Sequence, residues 1–119
     1  MIWRGDYMLI LPIKKKWFNM ILSGEKKEEY REIKPYYKSR FKSVFDMAPY
    51  SYIPIGNAEK EVMFRNGYSS NSPSLIADCT LDIKKGREEW GAEKDMEYYV
   101  LTIKKIRWKS TDNLGGYAR

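Results

Sequence analysis

Histidine is absent from this 119-residue chain, and cysteine occurs once, as Cys79. Without an imidazole, the chain cannot build a Ser-His-Asp triad, a Cys-His pair, a histidine-ligated zinc site or a histidine acid–base step. A single cysteine can form neither an intramolecular disulfide nor a cysteine metal cluster. We therefore expect no metal and no cofactor. Any catalysis would have to use lysine, glutamate, aspartate, tyrosine, serine, threonine or the one thiol.

Long apolar runs are also missing. No stretch approaches the roughly 20 residues that a transmembrane helix needs, and the run Met8–Ile13 is too short for the core of a signal peptide. A lone cysteine suits a reducing compartment. We expect a cytoplasmic protein that does not associate with membranes.

Enough apolar material is nevertheless present for a core, since 43% of the residues are hydrophobic and 15% are aromatic. Length and composition predict one domain over residues 1–109 and a flexible tail over 110–119. Apolar periodicity predicts helices within 14–23 and 35–45, and strands over 7–13, 27–33, 62–64, 75–83 and 98–106. On propensity alone 27–33 could also be a helix. This pattern predicts the α+β class, with a curved or barrel-like sheet.

The positive charge is concentrated in one segment. Residues 14–42 hold ten basic and four acidic side chains, which accounts for the whole net charge of +6. Aromatic residues are interleaved there. Basic side chains can bind phosphates, and aromatic rings can stack on unpaired bases. A solvated lysine face over an aromatic core is the alternative. Helical spacing places Trp17, Phe18 and Phe41 in the core, whereas one of Tyr36 and Tyr37 must face solvent.

Three charged residues follow a glycine after the first predicted helix. Residues 24–31 read GEKKEEYR and fit the pattern G-x-K-x-x-E-x-R. Gly24 permits a positive φ after the helix, and Glu29 and Arg31, two apart on a strand, point to the same side. Lys26 at the turn can lean over that side. The three charges would converge on one patch, either as a ligand site or as a structural ion pair.

This motif, with the strand and helix before it, resembles the signature of the ASCH domain family, which is related to PUA-like folds. The resemblance implies a small PUA-like β-barrel of about five or six strands with two or three short helices beside it. It implies RNA or a nucleotide-like molecule as the partner, bound in a cleft lined by Lys26, Glu29 and Arg31. Residues 86–93, GREEWGAE, resemble a feature of a phage or gut-bacterial subgroup.

An enzyme is the alternative that the resemblance raises. One bacterial branch is similar to an amidohydrolase acting on acetylated cytidine, in which the motif lysine is catalytic, here Lys26. That branch has threonine where this chain has Glu29, and a further glutamate that acts from later in that chain could correspond to Glu88, Glu89 or Glu93. A ribonuclease using Lys26 is a further alternative, with Glu29 beside it. Because Glu29 opposes the lowered pKa that a lysine base needs, the electrostatics favour binding over catalysis.

A second polar cluster covers residues 65–72, RNGYSSNS. It could be an ordinary turn, or it could face the motif, with Arg65 on a phosphate and Tyr68 stacked on a base. A third hypothesis is an interaction protein whose basic face meets an acidic protein partner of unknown identity. Cys79, within an apolar strand, is expected in the core.

Overall fold

The computed structural model describes residues 8–110, which form five strands and two α-helices. In chain order the elements are β1 (Leu9–Pro12), α1 (Lys15–Leu22), β2 (Glu28–Arg31), α2 (Pro35–Lys42), β3 (Lys60–Arg65), β4 (Ser74–Lys85) and β5 (Glu97–Lys109). A 3₁₀ helix, Glu88–Trp90, lies between β4 and β5. The predicted α+β class is confirmed, and 27–33 contains a strand, not a helix. The predicted tail lies outside the described residues except for Ser110.

The five strands form one curled, half-barrel sheet in the order β1-β3-β4-β5-β2. β1 runs parallel to β3, and every other pair is antiparallel. Two register irregularities between β4 and β5 interrupt the long ladder, and such bulges bend a sheet. The Arg31 side chain at the end of β2 donates from Nη2 to the carbonyl of Pro12 at the end of β1, at 2.7 Å. The two edge strands are therefore joined at one end by a guanidinium.

The core lies between one face of this sheet and the two helices. Each helix contributes a phenylalanine with no exposed surface, Phe18 from α1 and Phe41 from α2. Both were predicted core residues, and so was Cys79, which is buried on β4. Trp17 is only partly buried and packs at the edge of this core. A smaller cluster beneath the 3₁₀ segment contains Ala92, Tyr98 and Val100.

The turn after α1 places the charged motif. Gly24 has φ +85°, the left-handed conformation that the sequence predicted for it. The Gly24 N–H donates to the Ile21 carbonyl at 3.1 Å, and the Lys26 N–H donates to the Met20 carbonyl at 2.9 Å. These bonds attach the turn to the helix end, so the first residue of β2 follows in a set direction. No helix within residues 8–110 is long and apolar enough to cross a membrane.

Candidate functional site

A cleft of about 570 Å³ lies where the two edge strands approach each other. Pockets for small molecules usually span roughly 300–1,000 Å³, so this cleft could hold a nucleotide-sized ligand. Three parts of the chain line it: the β1–α1 junction, β2 with α2, and the turn after β3. The lining residues are Pro12, Ile13, Lys14, Trp17, Glu29, Arg31, Tyr37, Asn66, Gly67 and Tyr68.

Glu29 and Arg31 form an ion pair in this cleft. Both face the same side of β2, as their spacing predicted, and Arg31 Nη1 lies 2.8 Å from Glu29 Oε2. The Glu29 residue is only 6% exposed. Since Arg31 Nη2 also donates to the Pro12 carbonyl, the guanidinium is held by bonds on two sides. Its position and that of the carboxylate are therefore well defined before any ligand binds.

Lys26 is buried behind this pair, with 1% of its surface exposed. Its Nζ lies 3.1 Å from Glu29 Oε1 and donates to the carbonyls of Trp90, at 2.9 Å, and Glu28. The ammonium also lies 5.2 Å from the ring centre of Trp17, within the range of a cation–π contact. Burial lowers the pKa of Lys26 below its ordinary 10.5, Glu29 opposes this shift, and Arg31 adds to it.

The structure brings the three charged groups of the motif together but gives them different surroundings. Glu29 and Arg31 line the cleft, whereas Lys26 is not among its lining residues. Trp17 lines the cleft and also covers the Lys26 ammonium. The Glu29 carboxylate thus has one oxygen toward Lys26 and the other toward Arg31. Of the residues that line the cleft, Lys26 contacts Glu29 and Trp17.

Tyr68 and Arg65, predicted to act together, lie at different places. Tyr68 lines the cleft and is 88% exposed. Arg65 lines a second depression with Trp108 on the other face of the sheet. Successive side chains of a strand alternate between faces, and Phe64 is buried in the core, so Arg65 must point away from it. The turn that begins at Asn66 brings the chain back to the cleft.

Two aromatic residues of the cleft were not recognised as site residues from the sequence. Trp17 was expected in the core because it lies on the apolar face of α1, and Tyr37 marks the apolar face of α2. Both line the cleft. The adjacent pair Tyr36 and Tyr37 carried a partial signal, since one of them had to face solvent. Tyr36 is 54% exposed, whereas Tyr37 is partly buried at the cleft wall.

None of the later glutamates considered from the sequence lines the cleft. Glu88, Glu89 and Glu93 are all exposed in the segment between β4 and β5. Glu89 pairs with Arg87, whose Nη2 lies 2.7 Å away. Among residues 8–110 no group of three histidine, cysteine, aspartate or glutamate side chains could hold a metal ion.

Comparison with protein-family models, with curated proteins and with solved structures finds no match for this chain. The resemblance to ASCH domains therefore stays a prediction carried by residues 24–31. Inference about function depends on the chemistry of the cleft.

Proposed function

We propose that this chain binds RNA or a nucleotide-like ligand in the cleft, as an ASCH-like domain with a PUA-like fold would. One observation carries the proposal: a preformed carboxylate–guanidinium pair lies in a nucleotide-sized cleft among aromatic side chains. Glu29 and Arg31 supply the pair, and Trp17, Tyr37 and Tyr68 supply the rings. The combination of planar hydrogen-bonding groups with stacking surfaces suits a nucleobase.

Glu29 and Arg31 both keep unused hydrogen-bonding capacity. An ionised carboxylate has about four acceptor sites, and one contact on each oxygen is taken, by Lys26 and by Arg31. A guanidinium has five N–H donors, of which bonds to Glu29 and Pro12 use two. Glu29 can accept an amino or ring N–H of a base, and Arg31 can donate to a carbonyl or phosphate oxygen.

The aromatic rings and the basic rim supply the remaining affinity in this proposal. Tyr68, largely exposed above the cleft, can stack on a base, and such stacking contributes about 1–3 kcal/mol per base. Lys14 at the rim can meet a phosphate. Because the excess charge is concentrated in residues 14–42, binding should weaken as salt concentration rises.

Lys26 acts in this proposal as a positioning residue. Its ammonium compensates the charge of the nearly buried Glu29 and fixes one carboxylate oxygen at 3.1 Å. An uncompensated carboxylate charge at such a depth would be costly. Lys26 therefore stabilises the Glu29 carboxylate and holds it in place without touching the ligand.

The proposal is tested by fluorescence anisotropy with short single-stranded RNA at low and at moderate salt. Tyr68→Ala removes an exposed ring from the cleft and should weaken binding about 5- to 150-fold. Tyr50→Ala is the matched control, because Tyr50 is fully exposed and does not line the cleft. Tight, salt-sensitive binding lost only in Tyr68→Ala is the expected result. Negligible binding at low salt, or equal losses in the two variants, would refute the proposal.

One observation favours the alternative of an amidohydrolase or ribonuclease, namely the lowered pKa of Lys26. A lysine base needs such a shift. The Lys26 ammonium, however, already has three acceptors and lies outside the cleft lining, and both facts favour the binding role instead. Incubation with acetylcytidine and with RNA separates the two: the enzyme requires turnover that Lys26→Met abolishes, whereas the binding role predicts no turnover in either protein.

A further inference from the structure

A second depression, of about 240 Å³, lies on the face of the sheet that points away from the helices. Its walls come from β3, from the start of β4, from the end of β5 and from the polar loop before β4. Arg65 and Trp108 are its charged and aromatic members, and Asn71, Ser72 and Ser110 are among its polar ones. We call it the Arg65 pocket.

The Arg65 guanidinium lacks an oxygen acceptor within residues 8–110. Its Nε is buried without a hydrogen-bond partner there, and Nη2 reaches only the sulfur of Met63, at 3.5 Å. A thioether is a weak acceptor. Arg31, by contrast, has a carboxylate oxygen at 2.8 Å, and so do Arg87 and Arg107 at 2.7 Å each. A partly buried guanidinium of this kind would gain from an oxyanion drawn into the pocket.

Trp108 adds an aromatic surface to the same pocket. Pairing across the sheet places Met63 beside Ile76 and Ile76 beside Trp108. Arg65, two residues after Met63, shares that face. The Trp108 residue is 37% exposed, so part of its indole is accessible. Ser110 accepts a hydrogen bond from the Ser74 N–H at its Oγ, at 3.0 Å, which leaves its own proton to be donated.

We propose that the Arg65 pocket binds one nucleotide, with its phosphate on the Arg65 guanidinium and its base against the Trp108 indole. A simple carboxylate or phosphate would satisfy Arg65 but leave the indole unused. The pocket, at about 240 Å³, is smaller than most sites that enclose a whole small molecule, so part of the nucleotide would stay in solvent while its phosphate and one face of its base make the contacts. The ligand is either a free mononucleotide or one nucleotide of a strand.

The loop between the two sites would let a single nucleic-acid strand reach both of them. Asn66, Gly67 and Tyr68 line the cleft, and residues 70–72 line the Arg65 pocket. A nucleic-acid strand that crosses this loop could therefore enter both sites. Binding of such a strand, which we call the strand form of the proposal, depends on the proposed function of the cleft, whereas binding of a mononucleotide in the Arg65 pocket does not.

Each site contains one tryptophan, so the indole N–H signals in a ¹⁵N–¹H NMR spectrum report on the two sites separately. Trp17→Phe and Trp108→Phe assign the signals. Titration with adenosine monophosphate should shift the Trp108 signal in a saturable way. Movement of the Trp17 signal without the Trp108 signal would support the cleft and overturn the Arg65 pocket. Movement of the Trp108 signal without the Trp17 signal would support the pocket and count against the cleft.

Variants and ligand analogues identify the contacts. Arg65→Gln should weaken the mononucleotide response at Trp108 about tenfold or more, and Arg40→Gln, on the surface of α2, should not. Equal responses in these two variants would overturn the proposal. Inorganic phosphate or acetate binding as tightly as the mononucleotide would also overturn it, because the site would then recognise only an anion. A tighter Trp108 response to a short oligonucleotide than to the mononucleotide, lost in Tyr68→Ala, would support the strand form. An equal response would leave the free mononucleotide as the ligand.

Discussion

Replacing Lys26 by methionine tests the organisation of the charged motif. Methionine keeps much of the apolar stem but removes the ammonium, which has 0% side-chain exposure. Glu29 then loses the cation 3.1 Å from Oε1 and keeps only Arg31. The carbonyls of Trp90 and Glu28 lose their donor as well. The substitution therefore leaves one nearly buried carboxylate half-compensated and two carbonyl groups without this bond.

The expected loss of stability is about 3 kcal/mol. Removing one member of a buried ion pair costs roughly 3–5 kcal/mol, and the low end applies because Arg31 still faces Glu29. Burying methionine in place of a desolvated ammonium offsets part of the lost hydrogen bonds. For a domain of this size, about 4 °C of melting temperature corresponds to each kcal/mol. We therefore expect the melting temperature to fall by about 12 °C.

Urea unfolding followed by tryptophan fluorescence measures this loss. Lys27→Met is the matched control, because the neighbouring Lys27 is exposed and such surface changes usually stay within about 0.5 kcal/mol. If Lys26→Met and Lys27→Met unfold at the same urea concentration, Lys26 does not stabilise the motif. The role of Lys26 in holding Glu29 would then be wrong.

Three further predictions concern pH and a turn. Because the pKa of Lys26 in the folded protein lies below 10.5, the unfolded chain binds more protons than the folded protein does just below pH 10.5. The stability of the wild type relative to Lys26→Met should therefore rise as pH approaches 10.5, and a falling difference would contradict this. Burial raises the pKa of Cys79 from 9.0 to about 12, so its stabilising contribution is complete below pH 9 and is lost as pH rises toward 12. Cys79→Ala should lose less stability over that window than the wild type. If the free energy of unfolding falls with pH in parallel for the two proteins, the prediction is refuted. Gly67 has φ +128°, and a Cβ there would lie 2.5 Å from Ser72 Oγ. We expect Gly67→Ala to cost about 1–3 kcal/mol in urea unfolding and Ser72→Ala to recover part of it; a Gly67→Ala protein as stable as the wild type would disprove the clash.

The local features of the site could be predicted from the sequence because they depend on short-range geometry. The left-handed Gly24 follows from the end of an apolar helical pattern. The pairing of Glu29 with Arg31 follows from the two-residue period of a strand. The same period could have placed Arg65 correctly, since Val62 and Phe64 are apolar and Met63 and Arg65 must then share the opposite face. The prediction that Arg65 faces the motif is wrong because it treated Arg65 as part of the turn.

Other features could not be read from any local pattern. The Lys26 acceptor at Trp90 is 64 residues away, and the bond from Arg31 to Pro12 spans 19. Trp17 has the spacing of a core residue, yet it forms a wall of the cleft.

Composition and periodicity by themselves determined the class of fold, the order of most elements, the concentration of positive charge and the exclusion of histidine chemistry. Only the tertiary structure decided which charged groups share the cleft, which one lies behind Trp17, and that Arg65 faces another pocket. The physical reason is that side-chain periodicity acts within a few residues. The curl of the sheet, which brings β1 and β2 together around the cleft, depends on contacts among all five strands and both helices.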